Sequence, residues 1–272
     1  MAAADASRAW PGPRLPGVAA VGRLLLTRPE LGAAAAVAGA WLVLVLAAAR
    51  ASRGGLGAGL TAMGGMAGIG AGGVASPRSA WSLAAGGLPY WVVMTTAMMG
   101  PATLASVRHT GLNSLRWRRN RAMAEFSAAY LAVWAAFGVL ALAAAARVPA
   151  AASMATLAVV LMAAAAWQLT PVKRRWLRAC HRSVPLPPSG WRAEWGALRF
   201  GLRNGLACLG SCWCLMLVMA VAPGGQLLWT TGLTVTITSE KLLARQGRAT
   251  RFAAAALAFA AVAAAALGNL FR

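Results

Sequence analysis

The side chains best suited to chemistry are the sulfur groups of one apolar stretch, residues 201–219, which reads GLRNGLACLGSCWCLMLVM. This stretch contains three of the four cysteines in the chain. At about 100° per residue, Cys208, Cys212 and Met216 fall on one face of a helix. Two thiols four residues apart can reach one ion, and soft sulfur ligands favour a soft metal. The pattern therefore favours copper(I), with Cys208 and Cys212 as thiolate ligands and Met216 as a thioether ligand.

Three other roles for these cysteines are a disulfide, a zinc site and packing between helices. A disulfide between Cys208 and Cys212 is disfavoured because their Cβ vectors run parallel on a helix, and zinc needs more ligands than this helix supplies. Cysteine also packs well as a small apolar residue, so a purely structural role stays open. Cys214 points away from the other two thiols, and Cys180 is predicted in a loop between spans, so neither is a first-choice ligand.

A second sulfur cluster occurs earlier, in the run WVVMTTAMMGP at residues 91–101. Met94 and Met98 share a predicted helical face, and their thioethers could complete a three- or four-coordinate copper(I) site with the cysteines. Met98 and Met94 are therefore candidate ligands, although methionine is also a common gap-filler in cores. Pro101 removes a backbone hydrogen bond and predicts a kink.

Ionisable groups at membrane depth form a third signal, because burying them is costly and they usually serve function. We predict a polar pair or gate in which Glu240 or Glu125 pairs with Lys173, with Lys241 as an alternative partner of Glu240. Ordinary interfacial side chains that reach towards water remain the alternative. The residues of this set are Glu240, Lys241, Lys173, Glu125 and Gln168.

The composition indicates what must position these groups. The chain is 60% hydrophobic and has only five acidic residues among 272. Its apolar runs are close to the roughly 20 residues that a helix needs to cross a bilayer. We therefore expect an all-α, polytopic transmembrane bundle of about seven spans, residues 31–272, after a basic cytoplasmic arm, residues 1–30. The expected spans are 31–49, 81–107, 125–146, 153–170, 198–222, 226–243 and 252–270.

The net charge of +21 would suggest a nucleic-acid partner in a soluble protein, but here most basic residues fall in connections on one side of the bundle. The positive-inside rule then places the N-terminus inside and the C-terminus outside, and we expect no nucleic-acid binding.

The glycine-rich residues 56–75 are expected to form an outer loop or a re-entrant segment. Met63 and Met66 in that segment could relay metal inwards. Gly201 and Gly205 form a Gly-x-x-x-Gly pattern, which predicts close contact with another helix.

Four runs of this chain together resemble the DUF2182 family, over about residues 35–245. They are the Met94–Pro101 run, the Gln168–Lys173 run followed by Cys180, the Gly201–Met216 run and the Glu240–Lys241 pair. Members are labelled predicted metal-binding integral membrane proteins, so the resemblance implies a metal-binding membrane protein. Relatives often have His at the position of Asn204 and Cys at that of Ser211, so this chain lacks two candidate ligands.

These observations favour a multi-pass protein of a bacterial cell membrane that binds or handles a soft metal between its second and fifth spans. Its expected partners are the lipid bilayer and a metal-delivery or enzyme protein. The alternative is a membrane scaffold or assembly subunit in which sulfur residues only pack helices. We expect no enzyme, because both histidines, His109 and His181, lie in predicted loops and neither a catalytic triad nor a P-loop is evident. The metal, the direction of transfer and the oligomeric state stay open.

Overall fold

The computed structural model describes residues 28–53, 77–147, 153–222, 225–242 and 246–270. These residues form eight α-helices, so the all-helical prediction is confirmed for the described part of the chain. The glycine-rich segment with Met63 and Met66, and all but the end of the basic arm, lie outside the described residues. The helices are α1 (Leu31–Arg53), α2 (Pro77–Leu112), α3 (Arg119–Ala145), α4 (Ser153–Leu169), α5 (Pro171–Cys180), α6 (Trp191–Val221), α7 (Gln226–Leu242) and α8 (Gln246–Leu270).

Four of the described helices, α1, α3, α6 and α8, are long and apolar enough to cross a membrane. The number rises to five if α4 and α5, which are bent by 73° at their junction, count as one broken span. This is fewer than the seven predicted. Helix α7 has only 17 residues. Helix α2 is continuous, but it contains Pro89 and Pro101 together with threonines that lower its hydropathy.

Helix α6 is the centre of the bundle. It packs against α3, α5, α4 and α7, while α2 packs against α3 and α7, and α8 packs against α4. The most apolar window of α6 is 67% buried, against 11% for α1. Helix α6 carries Cys208 and Cys212, so the predicted thiol ligands lie on the most enclosed of the four membrane-capable helices.

Small residues allow α6 to approach α3 closely. A Cβ atom on Gly205 would lie 3.1 Å from Val133 Cγ2, and one on Gly201 would collide with the backbone carbonyl of Phe126. Both glycines therefore face α3 at a distance that leaves no room for a side chain. This close approach brings Tyr130 of α3 towards Cys208.

The short helix α5 falls in a stretch that the sequence suggested to be a loop. Thr170 caps its N-terminus by accepting a hydrogen bond from the Lys173 backbone N–H at 3.2 Å, and Pro171 occupies the first turn. These are favourable helix-start residues. Lys173 and Leu177 are buried, whereas the three arginines of the helix are exposed. Helix α5 is thus amphipathic and lies against α6.

Large apolar side chains cover much of the outer surface, on several helices. Such a surface is typical of helices that contact lipid tails and unusual for a monomeric soluble protein. Exposed examples are Leu42, Val43, Leu140, Val159, Leu228, Val235, Phe252, Phe259 and Val262.

Candidate metal centre

The Cys208 thiol is the meeting point of four helices. Its side chain is 1% exposed. Tyr130 Oη on α3 donates to Cys208 Sγ at 3.0 Å, and Lys241 Nζ on α7 donates to the same sulfur at 2.8 Å. Met99 Sδ on α2 lies 3.7 Å from it. The sulfur is thus surrounded by an ammonium group, a phenol and a thioether.

Cys212 lies one turn further along α6 and is also 1% exposed. Its side chain interacts with that of Cys208, as the spacing of four residues predicted. Ser211 Oγ lies 3.3 Å from Cys212 Sγ and 4.0 Å from Cys180 Sγ. The Lys241 ammonium interacts electrostatically with all three cysteines. We call Cys180, Cys208 and Cys212 the thiol cluster.

The sequence does not predict Cys180 at this site, because its arginine-rich segment resembles a loop between spans. Helix α5 brings it back to α6. The next residue, His181, fixes this position, because its ring nitrogens lie 2.8 Å from the carbonyl oxygens of Leu177 and Lys241. The end of α5 is therefore attached to the end of α7 beside the thiol cluster.

The thioether nearest to Cys208 belongs to Met99 and not to the methionines singled out from the sequence. Met94, Met98 and Met216 are fully buried in the same core cluster as Cys208 and Cys212. They lie in the same buried core as the thiols, and the sulfur contact with Cys208 is made by Met99. Met99 follows Met98 directly, and its place in the Met-Met-Gly-Pro run was the available signal.

A fully buried ion pair joins Lys173 on α5 to Glu240 on α7. Lys173 Nζ lies 2.7 Å from Glu240 Oε2, and both side chains are 1% exposed. Lys173 also donates to Gln168 Oε1 on α4. Lys173 further interacts electrostatically with Cys212 and with Cys214. Cys214 lies outside the thiol cluster. The pair thus forms a second polar layer beside the thiols.

The alternative pairing of Glu125 with Lys173 is wrong. Glu125 lies near the start of α3 and binds Arg118 at 2.9 Å and Arg121 at 3.0 Å. Lys241 does not bind Glu240 either, because consecutive helical residues point about 100° apart. Glu240 faces α5, whereas Lys241 faces Cys208.

A cavity of about 290 Å³ lies beside the thiol cluster, at the ends of α2, α5 and α7 and along the first half of α6. Its lining includes His109, Cys180, Asn204 and Lys241. A second cavity, about 460 Å³ and mainly apolar, is lined by Trp176, Leu206 and Trp213 and shares Asn204 with the first. Cys208 and Cys212 line neither cavity.

The donor atoms that converge here are soft. Among the described residues, no group of three or more His, Cys, Asp or Glu side chains has the geometry of a metal site. The convergent donors are instead the Cys208 and Cys212 thiols with the Met99 thioether. Low-coordinate sulfur ligation of this kind fits copper(I) better than a metal that prefers nitrogen or oxygen.

The fold and the site define an all-helical protein with several membrane-capable helices and a buried, sulfur-lined polar centre. Residues 88–264 match the family model PpoB2, described as a copper chaperone. The matched region is well over half of the chain and includes Met99, Lys173, Cys208 and Lys241. Comparisons with curated proteins and with solved structures give no significant match. The chain belongs to the PpoB2 family of copper chaperones.

Proposed function

We propose that this chain is a multi-pass membrane protein that binds copper(I) as cargo at Cys208 and Cys212 and passes it to a partner protein. The contact between the Lys241 ammonium and Cys208 Sγ, at 2.8 Å, carries the proposal. A nearby cation favours a thiolate, which is the form of cysteine that binds metal. A thiol that merely filled space between helices would need no buried cation beside it.

Charge balance supports a monovalent cargo. Two thiolates with one copper(I) carry a charge of −1, and the buried Lys241 ammonium makes the centre neutral. Zinc(II) with the same two thiolates is neutral by itself, so the lysine would then be an uncompensated buried charge, which is expensive. Because Lys173 is already neutralised by Glu240, Lys241 is the cation assigned to the thiols.

The methionines would complete the site. Met99, with its sulfur 3.7 Å from Cys208 Sγ, is the proposed third ligand. Met94, Met98 and Met216, buried in the same core, would form a polarisable outer layer. Tyr130 would hold the Cys208 sulfur in place by its hydrogen bond. The Lys173–Glu240–Gln168 layer would fix α4, α5 and α7 around the centre.

The wider organisation is also proposed. The bundle would span a cell membrane with its N-terminus inside, and α2, α4 and α7 would complete the seven spans. The ends of α2, α5 and α7 nearest the thiol cluster would then face the cytoplasm. The role would be binding and transfer of the ion without conversion of a substrate, so the chain is not proposed to be an enzyme.

Metal analysis of the purified protein tests the proposal. The full chain is purified in detergent without oxygen, supplied with copper(I) and measured for bound copper. We expect about one copper per chain in the wild type and in Cys214→Ser, a matched buried cysteine outside the thiol cluster. Loss of copper is expected in Cys208→Ser and Cys212→Ser.

The opposite result would favour the scaffold alternative. Copper stoichiometry that stays unchanged in the Cys208→Ser/Cys212→Ser double variant would contradict the ligand assignment. Absence of copper from the wild type, together with a protein that co-purifies from native membranes, would support a scaffold.

A further inference from the structure

We propose that Cys180 is an exchange thiol, and that copper(I) enters and leaves the buried site through the 290 Å³ cavity that Cys180 lines. This inference rests on the proposed function, because it concerns the route to the Cys208–Cys212 site. The inference assigns a role to Cys180 and identifies the cavity by which copper reaches the buried site. Neither the family match nor the i, i+4 spacing of Cys208 and Cys212 gives this information.

The position of Cys180 between solvent and the buried thiols is the first argument. Cys180 lines the cavity and is half-buried, whereas Cys208 and Cys212 are 1% exposed. On its inner side Cys180 Sγ lies 4.0 Å from Ser211 Oγ, which lies 3.3 Å from Cys212 Sγ. A metal ion held by Cys180 would therefore be one short step from Cys212.

The chemistry of the cavity is the second argument. Among the residues that line it, Cys180 alone carries a thiol. Both ring nitrogens of His181 face backbone carbonyl oxygens, and His109 Nε2 lies 3.1 Å from the carbonyl oxygen of Val184. These contacts occupy the imidazoles, so the soft ligand available to an incoming copper(I) ion is Cys180.

Asn204 gives the cavity a polar wall. It is 7% exposed and lines the cavity together with Thr103, Ser106 and Lys241. Polar groups that face a cavity of this size are commonly hydrogen-bonded to water there. A hydrated passage of this kind is what a charged copper complex would need in order to approach Cys180.

The exchange itself is a ligand substitution without a redox change. A donor of the copper(I)–thiolate class presents its ion at the cavity. The Cys180 sulfur bonds to copper as one donor Cu–S bond breaks, and the proton lost by Cys180 passes to the departing donor sulfur. Cys212 then bonds to copper as the second donor Cu–S bond breaks, and its proton passes to that donor sulfur. The Cys208 thiolate bonds to copper as the bond between copper and Cys180 breaks, and Cys180 regains its proton from the first donor thiol, which leaves as a thiolate.

The experiment compares the rate of loading with the final amount of copper. The purified full chain, free of metal and oxygen, is mixed with copper(I)–glutathione, and the thiolate-to-copper absorption is followed over time. Bound copper is then measured at equilibrium. A positioned ligand turns a bimolecular encounter into an intramolecular step, so Cys180→Ser should load about tenfold or more slowly while reaching wild-type stoichiometry.

A second variant tests the route without removing any thiol. Ser106→Phe places a bulky side chain in the lining of the same cavity and should also slow loading without lowering the final stoichiometry. Leu206→Phe is its matched control, because Leu206 lines the other cavity, and Cys214→Ser is the control for loss of a cysteine. Both controls should load at the wild-type rate.

Three outcomes are decisive. A wild-type loading rate in both Cys180→Ser and Ser106→Phe would overturn the inference and leave the proposed function intact. A lower final stoichiometry in Cys180→Ser would also overturn it, because Cys180 would then be a resident ligand. A wild-type chain that takes up no copper would instead overturn the proposed function, and the exchange role with it.

Discussion

The ammonium nitrogen of Lys241 lies 2.8 Å from the sulfur of Cys208, and both side chains are buried. The two residues are 33 positions apart in the chain and belong to α7 and α6. A buried lysine is expensive unless a charge or a set of hydrogen bonds compensates it. The Cys208 sulfur is positioned to do so as a thiolate, which links the metal-binding group to a fixed positive charge.

The first prediction concerns metal selectivity. Lys241→Met removes the charge and keeps much of the apolar length, so a two-thiolate copper(I) complex would be left with an uncompensated −1 charge. We expect copper(I) affinity to fall by about tenfold or more, which corresponds to about 1.4 kcal/mol, and zinc(II) binding to rise. Lys241→Arg, which keeps the charge, should retain a preference for copper.

Competition with chelators for copper(I) and zinc(II), with elemental analysis of the purified variants, measures this shift. An unchanged ratio of copper to zinc in Lys241→Met would mean that charge balance does not select the cargo.

The second prediction concerns the Lys173–Glu240 pair, in which both side chains are 1% exposed. Removing one partner leaves a buried charge alone, at a cost of about 3–5 kcal/mol. Glu240→Gln and Lys173→Met should each destabilise the protein by about this amount, and the double variant should lose less than the sum. Arg121→Gln is the control, because the Arg121 side chain is 64% exposed although it forms ion pairs. This variant should lose only about 0–1 kcal/mol of stability.

Unfolding in mixed micelles with increasing SDS measures these stabilities. Additive losses in the double variant would show that Lys173 and Glu240 act independently.

Helical periodicity explains which parts of the site could be predicted. Cys208 and Cys212 lie on one face because residues four apart always do, and Glu240 was one of two acids considered for Lys173. The apolar runs located all helices except α5. That helix was missed because its arginines and Pro171 resemble a polar connection, whereas Thr170 and Pro171 in fact start a helix.

Contacts between helices could not be predicted in the same way. The approach of Lys241 to Cys208 depends on how α7 is rotated against α6, and the approach of Cys180 depends on a helix that was not expected. The choice of Met99 over Met98 likewise depends on the rotation of α2. Periodicity relates residues within one helix, and these three relationships lie between helices.

The third prediction separates the two neighbouring methionines. Met99→Leu and Met98→Leu are both volume-conserving core changes that usually cost less than about 1.5 kcal/mol in stability. Met99 contacts Cys208 through its sulfur, so Met99→Leu should weaken copper(I) binding by about tenfold, and Met98→Leu should bind as the wild type does.

Equilibrium competition with a copper(I) chelator makes this comparison. Equal affinities in the two variants would remove Met99 from the ligand set, and a loss confined to Met98→Leu would restore the ligand first expected from the sequence.

The fourth prediction concerns the close contact of α6 with α3. A Cβ atom on Gly201 would meet the Phe126 carbonyl, so Gly201→Ala must push the helices apart, at a cost of about 1–3 kcal/mol. Because Tyr130 of α3 donates to Cys208, this shift should also weaken copper binding. Gly232→Ala on α7 has nothing within 4 Å of its added Cβ and should be neutral or slightly stabilising.

Thermal unfolding and copper affinity are measured on both variants. Equal stability of Gly201→Ala and Gly232→Ala would contradict the steric argument, and lost stability without lost affinity would separate the helix contact from the metal site.

The fifth prediction uses the hydroxyl that lies within the thiol cluster. Ser211 Oγ is 3.3 Å from Cys212 Sγ and 4.0 Å from Cys180 Sγ, so Ser211→Cys would place a further thiol beside Cys212. An added thiolate ligand should raise copper(I) affinity by about tenfold and lengthen the copper–sulfur bonds as the coordination number increases. X-ray absorption spectroscopy of the copper-loaded protein measures those bonds, and chelator competition measures the affinity.

Ser211→Ala is the control, because it removes the hydroxyl without adding a ligand and should keep wild-type affinity. If Ser211→Cys had the copper–sulfur distances and affinity of Ser211→Ala, copper would be bound away from Cys212, and the centre proposed at Cys208 and Cys212 would be wrong.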